Sequence, residues 1–136
     1  AVLNKTDSAS STICVDGDGG FQMTMQELGT ILQYKIGVKI IILNNNFLGM
    51  VRQWQDMFFD KRYASTELVN PDFVMISQAY RIPAKKIVER EDLKDALVEM
   101  ISAKGPYLLE IIVQKEGNVF PMVEPGKSVS EIRLTY

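Results

Sequence analysis

The sequence contains no histidine among its 136 residues. This absence excludes from the chain a Ser-His-Asp or Cys-His nucleophile system, a His-Glu zinc site and a histidine proton shuttle. The single cysteine, Cys14, cannot form an intrachain disulfide, which favours a reducing compartment. Because Cys14 falls in a predicted strand, we expect a small buried side chain there. Any chemistry in this chain must therefore use groups other than histidine.

Long apolar runs and an excess of charge are missing as well. No run approaches the ~20 residues that cross a bilayer, and the first residues lack a signal peptide pattern, so we expect a cytoplasmic protein without a membrane partner. The formal charge of -2 argues against nucleic acid binding. A hydrophobic content of 46% predicts one domain with a real core. Since the chain begins at Ala1, we expect a piece of something longer.

Apolar patterns along the chain alternate between strands and helices. Strands are predicted at 11–15, 38–43, 85–88 and 107–113. Helices are predicted from the stripe of Phe21, Met25, Leu28 and Leu32, over 50–59, from an Asn70 cap with Pro71 as first helical residue, and over 93–101. This order predicts an α/β fold with three α/β/α layers and a mainly parallel sheet. We assign residues 1–113 to this domain and 114–136 to a C-terminal tail or lid.

Two of the predicted strands end in polar turns, at residues 16–20 and 44–46. Ligands of open α/β sheets bind beyond the carboxyl ends of the strands, so these turns are the place to expect chemistry. Asp18 and Asn45 offer oxygen ligands that Mg²⁺ or Ca²⁺ accepts, and the glycines of the first turn allow a phosphate to approach the next helix. Taken singly, either turn is also explained as a mere turn former.

Two alternatives compete with this interpretation. Asp16, Asp18 and Glu27 fall at positions one, three and twelve of an EF-hand loop, but Phe21 stands where that loop needs glycine and a strand precedes it. A non-catalytic α/β module that holds a metal or nucleotide at Asp18 is the second alternative.

Several motifs together carry a family resemblance. The run Gly17-Asp18-Gly19, followed after 24 residues by Asn44-Asn45, resembles the thiamine diphosphate binding motif. The rest of the chain resembles the large, catalytic subunit of acetolactate synthase, also called acetohydroxyacid synthase, in the runs at 49–55, 62–63, 70–73, 105–106 and 121–123. The resemblance covers residues 11–132. Since the family's subunit is much longer, it implies an incomplete thiamine diphosphate-binding fold that lacks its N-terminal part.

The resemblance implies a set of site residues. In the family, the positions of Asp18 and Asn45 are Mg²⁺ ligands, together with the main-chain carbonyl of the position of Phe47. Cofactor-binding positions are Gly17, Asp18, Gly19, Gly20, Asn45, Gly49 and Met50. Met50 and Trp54 match positions that line the substrate channel, although without the resemblance a Met and a Trp four residues apart are more often part of a core stripe. No catalytic residue is expected in this chain, because the family's activating glutamate comes from another domain of the partner subunit.

The resemblance also implies an activity. Acetolactate synthase, a transferase, decarboxylates pyruvate on thiamine diphosphate and joins the two-carbon unit to pyruvate or 2-oxobutanoate in branched-chain amino acid biosynthesis. The parent enzyme binds FAD outside this part and forms a homodimer or higher homo-oligomer, with a regulatory small subunit as a further partner. We expect this chain alone to be inactive. A pyruvate oxidase or another 2-oxo acid decarboxylase is the alternative within the superfamily, against which the run 49–55 argues.

Overall fold

A four-stranded parallel sheet forms the centre of the protein, whose computed structural model describes residues 12–135. The strands are β1 (Thr12–Gly17), β2 (Val38–Asn44), β3 (Ala84–Ile87) and β4 (Tyr107–Ile112), and they lie in the order β1-β2-β4-β3. All neighbours pair in parallel, as the near-continuous apolar run of β2 predicts. Ser11, the first residue of the first predicted strand, lies outside the described residues.

Helices connect the strands and cover the sheet. They are α1 (Asp18–Thr24), α2 (Glu27–Tyr34), α3 (Gly49–Phe58), α4 (Phe73–Ala79) and α5 (Leu93–Ser102), the last preceded by a 3₁₀ turn at Arg90–Asp92. Between residues 12 and 135, no helix has the length and apolar character needed to cross a bilayer.

Apolar side chains pack on both faces of the sheet, because successive residues of a strand point to opposite sides. The cluster on the first face joins the sheet to α1, α2 and α4 and comprises Phe21, Leu28, Ile40, Ile42, Phe73, Ile82 and Leu108. The cluster on the second face joins the sheet to α5 and comprises Ile87, Ala96, Met100, Tyr107 and Leu109. The predicted three-layer α/β/α arrangement with a mainly parallel sheet is therefore confirmed.

The apolar stripe after β1 does not form one helix, so this part of the prediction is wrong. The helix ends at Thr24, and α2 starts again at Glu27 after a turn. Phe21 of α1 packs edge-to-face on Phe73 of α4 with ring centroids 5.5 Å apart, while Leu28 of α2 is buried in the same cluster. Leu32 remains 40% exposed. The periodicity indicated which residues face the core but did not register the break.

Cys14 is exposed, which corrects the expectation of a buried thiol. It lies on β1, which stands at the edge of the sheet and pairs with β2 alone among the described strands. On the other face of the same strand, Ile13 and Val15 are 47% and 58% exposed. An edge strand has sheet neighbours on one side only, so an apolar sequence does not guarantee its burial.

The cap predicted for α4 is also wrong. The helix begins at Phe73, and the Oδ1 atom of Asp72 accepts the backbone N–H of Met75 at 2.8 Å. Asn70 and Pro71 therefore precede the helix. An Asn-Pro-Asp run offers two capping side chains, and Asp72 takes this role because Asn70 has buried partners elsewhere.

The segment after β4 folds back onto α3. It contains a short antiparallel pair, β5 (Met122–Val123) and β6 (Ile132–Arg133). Gln53 of α3, which is 2% exposed, donates from Nε2 to the carbonyl of Val119 at 2.9 Å and accepts its N–H at 2.8 Å. The tail is thus docked on α3, while its separation from the domain at residue 113 stays a prediction.

Candidate functional site

The two polar turns meet at the carboxyl edge of the sheet. Because β1 and β2 are neighbours in parallel register, with Gly17 opposite Leu43, the turn into α1 lies beside the loop into α3. A cavity of about 490 Å³ opens between them. Its walls include residues of both turns and of the tail, among them Gly17, Asp18, Gly19, Gly20, Asn45, Phe47, Gly49, Gln114 and Gly117. The structure therefore brings together nearly all of the cofactor positions predicted above.

Asp18, Asn45 and Phe47 bring three kinds of oxygen to this cavity. Asp18 is 2% exposed and contributes a carboxylate, Asn45 an amide oxygen and Phe47 a backbone carbonyl. Hard oxygen donors with few charges are what Mg²⁺ prefers when phosphate oxygens and water complete its shell. Over residues 12–135 no group of three or more acidic, cysteine or histidine side chains is placed so that it could hold a metal ion. The donor set therefore fits a cation shared with a phosphate group.

The loop after β2 is shaped by its asparagines. The Oδ1 atoms of Asn44 and Asn45 accept the backbone N–H groups of Asn46 and Phe47 at 3.0 and 2.9 Å. Asn46 adopts a φ of 59°, in the left-handed region that asparagine tolerates better than most residues. An amide oxygen has two lone pairs, so the Oδ1 atom of Asn45 keeps one acceptor position for a cation.

Two glycines of the site allow close packing. A Cβ atom on Gly19 would lie 2.8 Å from Cδ2 of Leu48 and 3.1 Å from Cδ1 of Leu68. At Gly49 it would lie 3.2 Å from Nδ2 of Asn45. Gly19 thus lets the loop after β2 approach α1 closely, and Gly49 lets the start of α3 pack against Asn45 of that loop.

Asn70 is a site residue that the sequence analysis missed. Its Nδ2 atom donates to Oδ2 of Asp18 at 2.7 Å and lies 3.0 Å from the Oδ1 atoms of both Asn44 and Asn46. Its own Oδ1 accepts Nε2 of Gln22 at 2.6 Å. Asn70 therefore connects the two turns directly. The only signal in the sequence was an Asn-Pro-Asp run, which is equally typical of a helix start.

Glu110 is the second residue that was missed. It is 2% exposed, and its Oε1 atom accepts Nδ2 of Asn44 at 2.7 Å and lies 3.3 Å from Nζ of Lys86. The sequence showed only an acidic residue that interrupts an apolar strand. A buried carboxylate in such a strand is uncommon unless it is paired, and that is the signal that could have found it.

Met50 and Trp54 lie one turn apart on α3 and are 52% and 39% exposed. The ring of Trp54 meets that of Phe58 edge-to-face at 5.8 Å. Met50 follows Gly49, a cavity residue, directly in the chain. Both side chains are therefore accessible on α3 and do not form a core stripe. Their roles toward cofactor and substrate stay predictions.

Arg52, on the same helix, stacks between two aromatic rings. Its guanidinium carbon lies 5.0 Å from the ring centre of Phe47 and 4.6 Å from that of Tyr63. These contacts are cation–π interactions, which help to hold the loop after β2 against α3. Arg62 lies at the surface, 3.9 Å from Asp60.

Comparison with known proteins agrees with this geometry. The family model described as "Thiamine pyrophosphate enzyme, C-terminal TPP binding domain" matches residues 1–111. The chain belongs to this family. Thiamine pyrophosphate is another name for thiamine diphosphate. The family match therefore agrees with the binding motif identified from Gly17-Asp18-Gly19 and Asn44-Asn45.

Among characterised proteins, this thiamine pyrophosphate enzyme domain is similar to acetolactate synthases. It is 46% identical over 122 residues to the large subunit from Cyanidium caldarium, a match that spans 88% of this chain and 21% of that protein. With the isozyme 2 large subunit of Escherichia coli K12 it shares 44% identity over 90% of this chain and 22% of the relative. The resemblance stated above is confirmed, and the chain spans about a fifth of the length of these relatives.

A solved structure supports the fold of the domain independently. The thiamine diphosphate-dependent 4-hydroxybenzoylformate decarboxylase of Rhodococcus jostii RHA1 superposes with a TM-score of 0.74 at 26% identity. This match covers 82% of this chain and 21% of the decarboxylase. The incomplete thiamine diphosphate-binding fold predicted from the sequence is therefore confirmed.

Proposed function

We propose that this chain is the C-terminal part of an acetolactate synthase catalytic subunit, in which it holds Mg²⁺ and the diphosphate end of thiamine diphosphate. The observation that carries this proposal is the convergence of Asp18, Asn45 and Phe47 on one cavity. These three residues come from two loops, and they have the oxygen donors that a magnesium diphosphate needs. Identity of 46% and 44% to acetolactate synthase large subunits supports the choice of enzyme.

In this proposal, the chain's own residues bind Mg²⁺ and orient the diphosphate of the cofactor. Asp18, Asn45 and the carbonyl of Phe47 would hold Mg²⁺, while Gly19 and Gly20, in the cavity wall at the start of α1, would let phosphate oxygens approach the backbone. When bound, thiamine diphosphate supplies the carbon–carbon bond chemistry through its thiazolium ring. The protein therefore needs no histidine of its own in this part.

The α3 helix is proposed to face the substrate. Met50 and Trp54 are exposed on one side of α3, next to the cavity, and large apolar side chains there would line the approach of a 2-oxo acid. The tail would close this region as a lid, since Gln53 fastens Val119 to the same helix. Pocket walls that come from several segments exclude water from a bound cofactor.

The whole enzyme would decarboxylate pyruvate and join the two-carbon unit to pyruvate or 2-oxobutanoate in branched-chain amino acid biosynthesis. FAD, a homodimer or higher homo-oligomer, a regulatory small subunit and a cytoplasmic location belong to the same proposal. Two similar proteins are named as mitochondrial. Because the chain spans about a fifth of its relatives' length, we expect no acetolactate formation by the chain alone.

A second candidate is another 2-oxo acid decarboxylase with the same cofactor. The structural similarity to the 4-hydroxybenzoylformate decarboxylase supports it, but the identity there is 26% against 46% for an acetolactate synthase. Both candidates predict the same cofactor site in this chain.

The test is a calorimetric titration of thiamine diphosphate into this chain with and without Mg²⁺. We expect binding that requires Mg²⁺, and at least a ~100-fold loss of affinity in Asp18→Asn, because the ion loses its carboxylate. Asp60→Asn, at a side chain that is 94% exposed, should bind like the unaltered chain. Binding of Ca²⁺ or Mg²⁺ without any response to the cofactor would instead favour the non-catalytic metal module.

A further inference from the structure

Glu110 lies beneath the site in β4, a strand with neighbours on both sides. Burial of a carboxylate costs free energy unless it is paired and hydrogen bonded. Glu110 has both kinds of partner, since Nδ2 of Asn44 donates to its Oε1 atom at 2.7 Å and Nζ of Lys86 lies 3.3 Å from the same atom. The carboxylate is therefore held on a rigid element and bonded to Asn44, the last residue of β2 before the loop.

A carboxylate paired with lysine only accepts hydrogen bonds, so it fixes the direction of an amide that faces it. Asn44 must turn its Nδ2 toward Glu110, which leaves its Oδ1 on the opposite side. There the oxygen accepts Nδ2 of Asn70 and the backbone N–H of Asn46, both at 3.0 Å. If the Asn44 amide were reversed, its Nδ2 would face Nδ2 of Asn70 and the N–H of Asn46, and all three groups are donors.

The direction of these hydrogen bonds is passed on from Asn44 through Asn70 to Asp18. The amide nitrogen of Asn70 faces Oδ2 of Asp18 at 2.7 Å, and its oxygen accepts Nε2 of Gln22 at 2.6 Å. A reversed Asn70 amide would set its oxygen against the carboxylate of Asp18 and its nitrogen against that of Gln22. Glu110, Asn44, Asn70 and Asp18 thus form one hydrogen-bond chain with a single direction.

We propose that Glu110 is a positioning residue of the metal site, which orients the carboxylate of Asp18 and the loop that carries Asn45 by fixing the amide directions of Asn44 and Asn70. This inference rests on the proposed function, because it concerns the same Mg²⁺ and diphosphate site. Groups that orient metal ligands commonly change metal affinity about 10- to 100-fold when they are altered.

The first variant is Glu110→Gln, which keeps the shape of the side chain but can present either an oxygen or an amide nitrogen to Asn44. The hydrogen bonds from residue 110 to Asp18 can then run in either direction. We expect the Mg²⁺-dependent affinity for thiamine diphosphate to fall about 10-fold, and the side-chain amide signals of Asn44 and Asn70 in ¹⁵N NMR spectra to shift or double. The control is Glu99→Gln, at a glutamate that accepts from Tyr107 and Lys85 at 2.7 and 2.9 Å; its affinity should not change.

The second variant exchanges the two partners, as Glu110→Gln with Asn44→Asp. The introduced aspartate is now the group that only accepts. It accepts from the introduced glutamine amide, from Asn70 and from the N–H of Asn46, so the direction toward Asp18 is restored. We expect affinity within about threefold of the unaltered chain, because the net charge is kept. The bond between positions 110 and 44 is reversed, but residue 44 still accepts from Asn70 and from the N–H of Asn46, and Asn70 still donates to Asp18.

The outcomes separate this inference from the proposed function. If the unaltered chain does not bind thiamine diphosphate with Mg²⁺, the proposed function fails and the inference with it. If the unaltered chain binds and Glu110→Gln binds equally well, the inference alone is overturned. Should Glu110→Gln fail to fold, binding by the exchanged double variant supports the inference, and loss of folding or binding in that variant overturns it.

Discussion

Buried polar groups lie at both ends of the sheet, but they have different partners. At the amino end, Nζ of the buried Lys39 donates to the carbonyls of Ala103 and Gly105 at 2.5 Å each, which follow the last turn of α5. Nearby, the hydroxyl of Tyr107 donates to Glu99 at 2.7 Å. At the carboxyl end, the buried groups are the carboxylates of Asp18 and Glu110 and the amide of Asn44, and Asp18 lines a cavity. One end is thus closed on itself and the other is open to a ligand.

The difference indicates two uses of the same kind of interaction. A buried hydrogen bond between protein groups contributes to stability, whereas oxygens that are held in place beside a cavity cost stability and serve binding. Changes at the amino end should therefore alter the free energy of unfolding without altering cofactor affinity. Changes at the carboxyl end should mainly alter cofactor affinity. Asn70→Ala and Tyr107→Phe test this division, and Gln53→Leu tests the docking of the tail on α3.

The largest effect is expected for Asn70→Ala at the carboxyl end. It removes the donor that holds Asp18 and the two asparagine oxygens, so we expect affinity for thiamine diphosphate with Mg²⁺ to fall about 10- to 100-fold, with a smaller relative change in unfolding midpoint. Calorimetry and urea unfolding measure the two quantities. Asn118→Ala, on the tail, is the control. A loss of stability without a loss of affinity would contradict the division.

A smaller effect is expected for Gln53→Leu, which removes the two hydrogen bonds that fasten Val119. Each such bond contributes about 1 kcal/mol, so the loss of both should make amide exchange around Val119 about 30-fold faster. Hydrogen exchange with mass spectrometry measures this rate. Gln55 makes the same paired contact with Ala64, at 3.0 and 2.9 Å, so Gln55→Leu should loosen that loop and leave the tail unchanged. Equal exchange of the tail in both variants would show that Gln53 does not fasten it.

The smallest effect is expected at the amino end, for Tyr107→Phe. Burial, and then the hydrogen bond to Glu99, raise the pKa of Tyr107 from 10.0 to about 12. A raised pKa in the folded state means that this contribution to stability is complete below about pH 10 and is lost as the pH rises toward 12. Tyr107→Phe should lower the free energy of unfolding by about 1 kcal/mol at neutral pH and remove this decline.

Unfolding at about pH 8 and about pH 11, on either side of the ordinary tyrosine pKa, measures the effect of Tyr107→Phe. Tyr34→Phe, at a residue 62% exposed, is its control. Cofactor affinity at neutral pH should stay the same in both variants. An altered affinity in Tyr107→Phe would mean that the amino end also takes part in the site.

Prediction from the sequence succeeded where the signal is local. The β-branched run of β2 and the helical spacing in α5 need no knowledge of distant residues, and both elements lie close to their predicted bounds. Prediction failed where the local sequence allows two structures, such as one helix or two, or either of two capping residues. The break between α1 and α2 and the cap of α4 depend on what packs against them, as the contact of Phe21 with Phe73 illustrates.

By itself, the sequence determined the alternation of strands and helices and the spacing of the two turns, because apolar periodicity and turn residues act over a few neighbouring positions. The proposed metal ligands Asp18 and Asn45 follow from that spacing. Only the tertiary structure decided that Asn70 and Glu110 belong to the same site. Their partners Asp18 and Asn44 lie 52 and 66 positions away in the sequence, and a hydrogen bond forms only where folding brings donor and acceptor within about 3 Å.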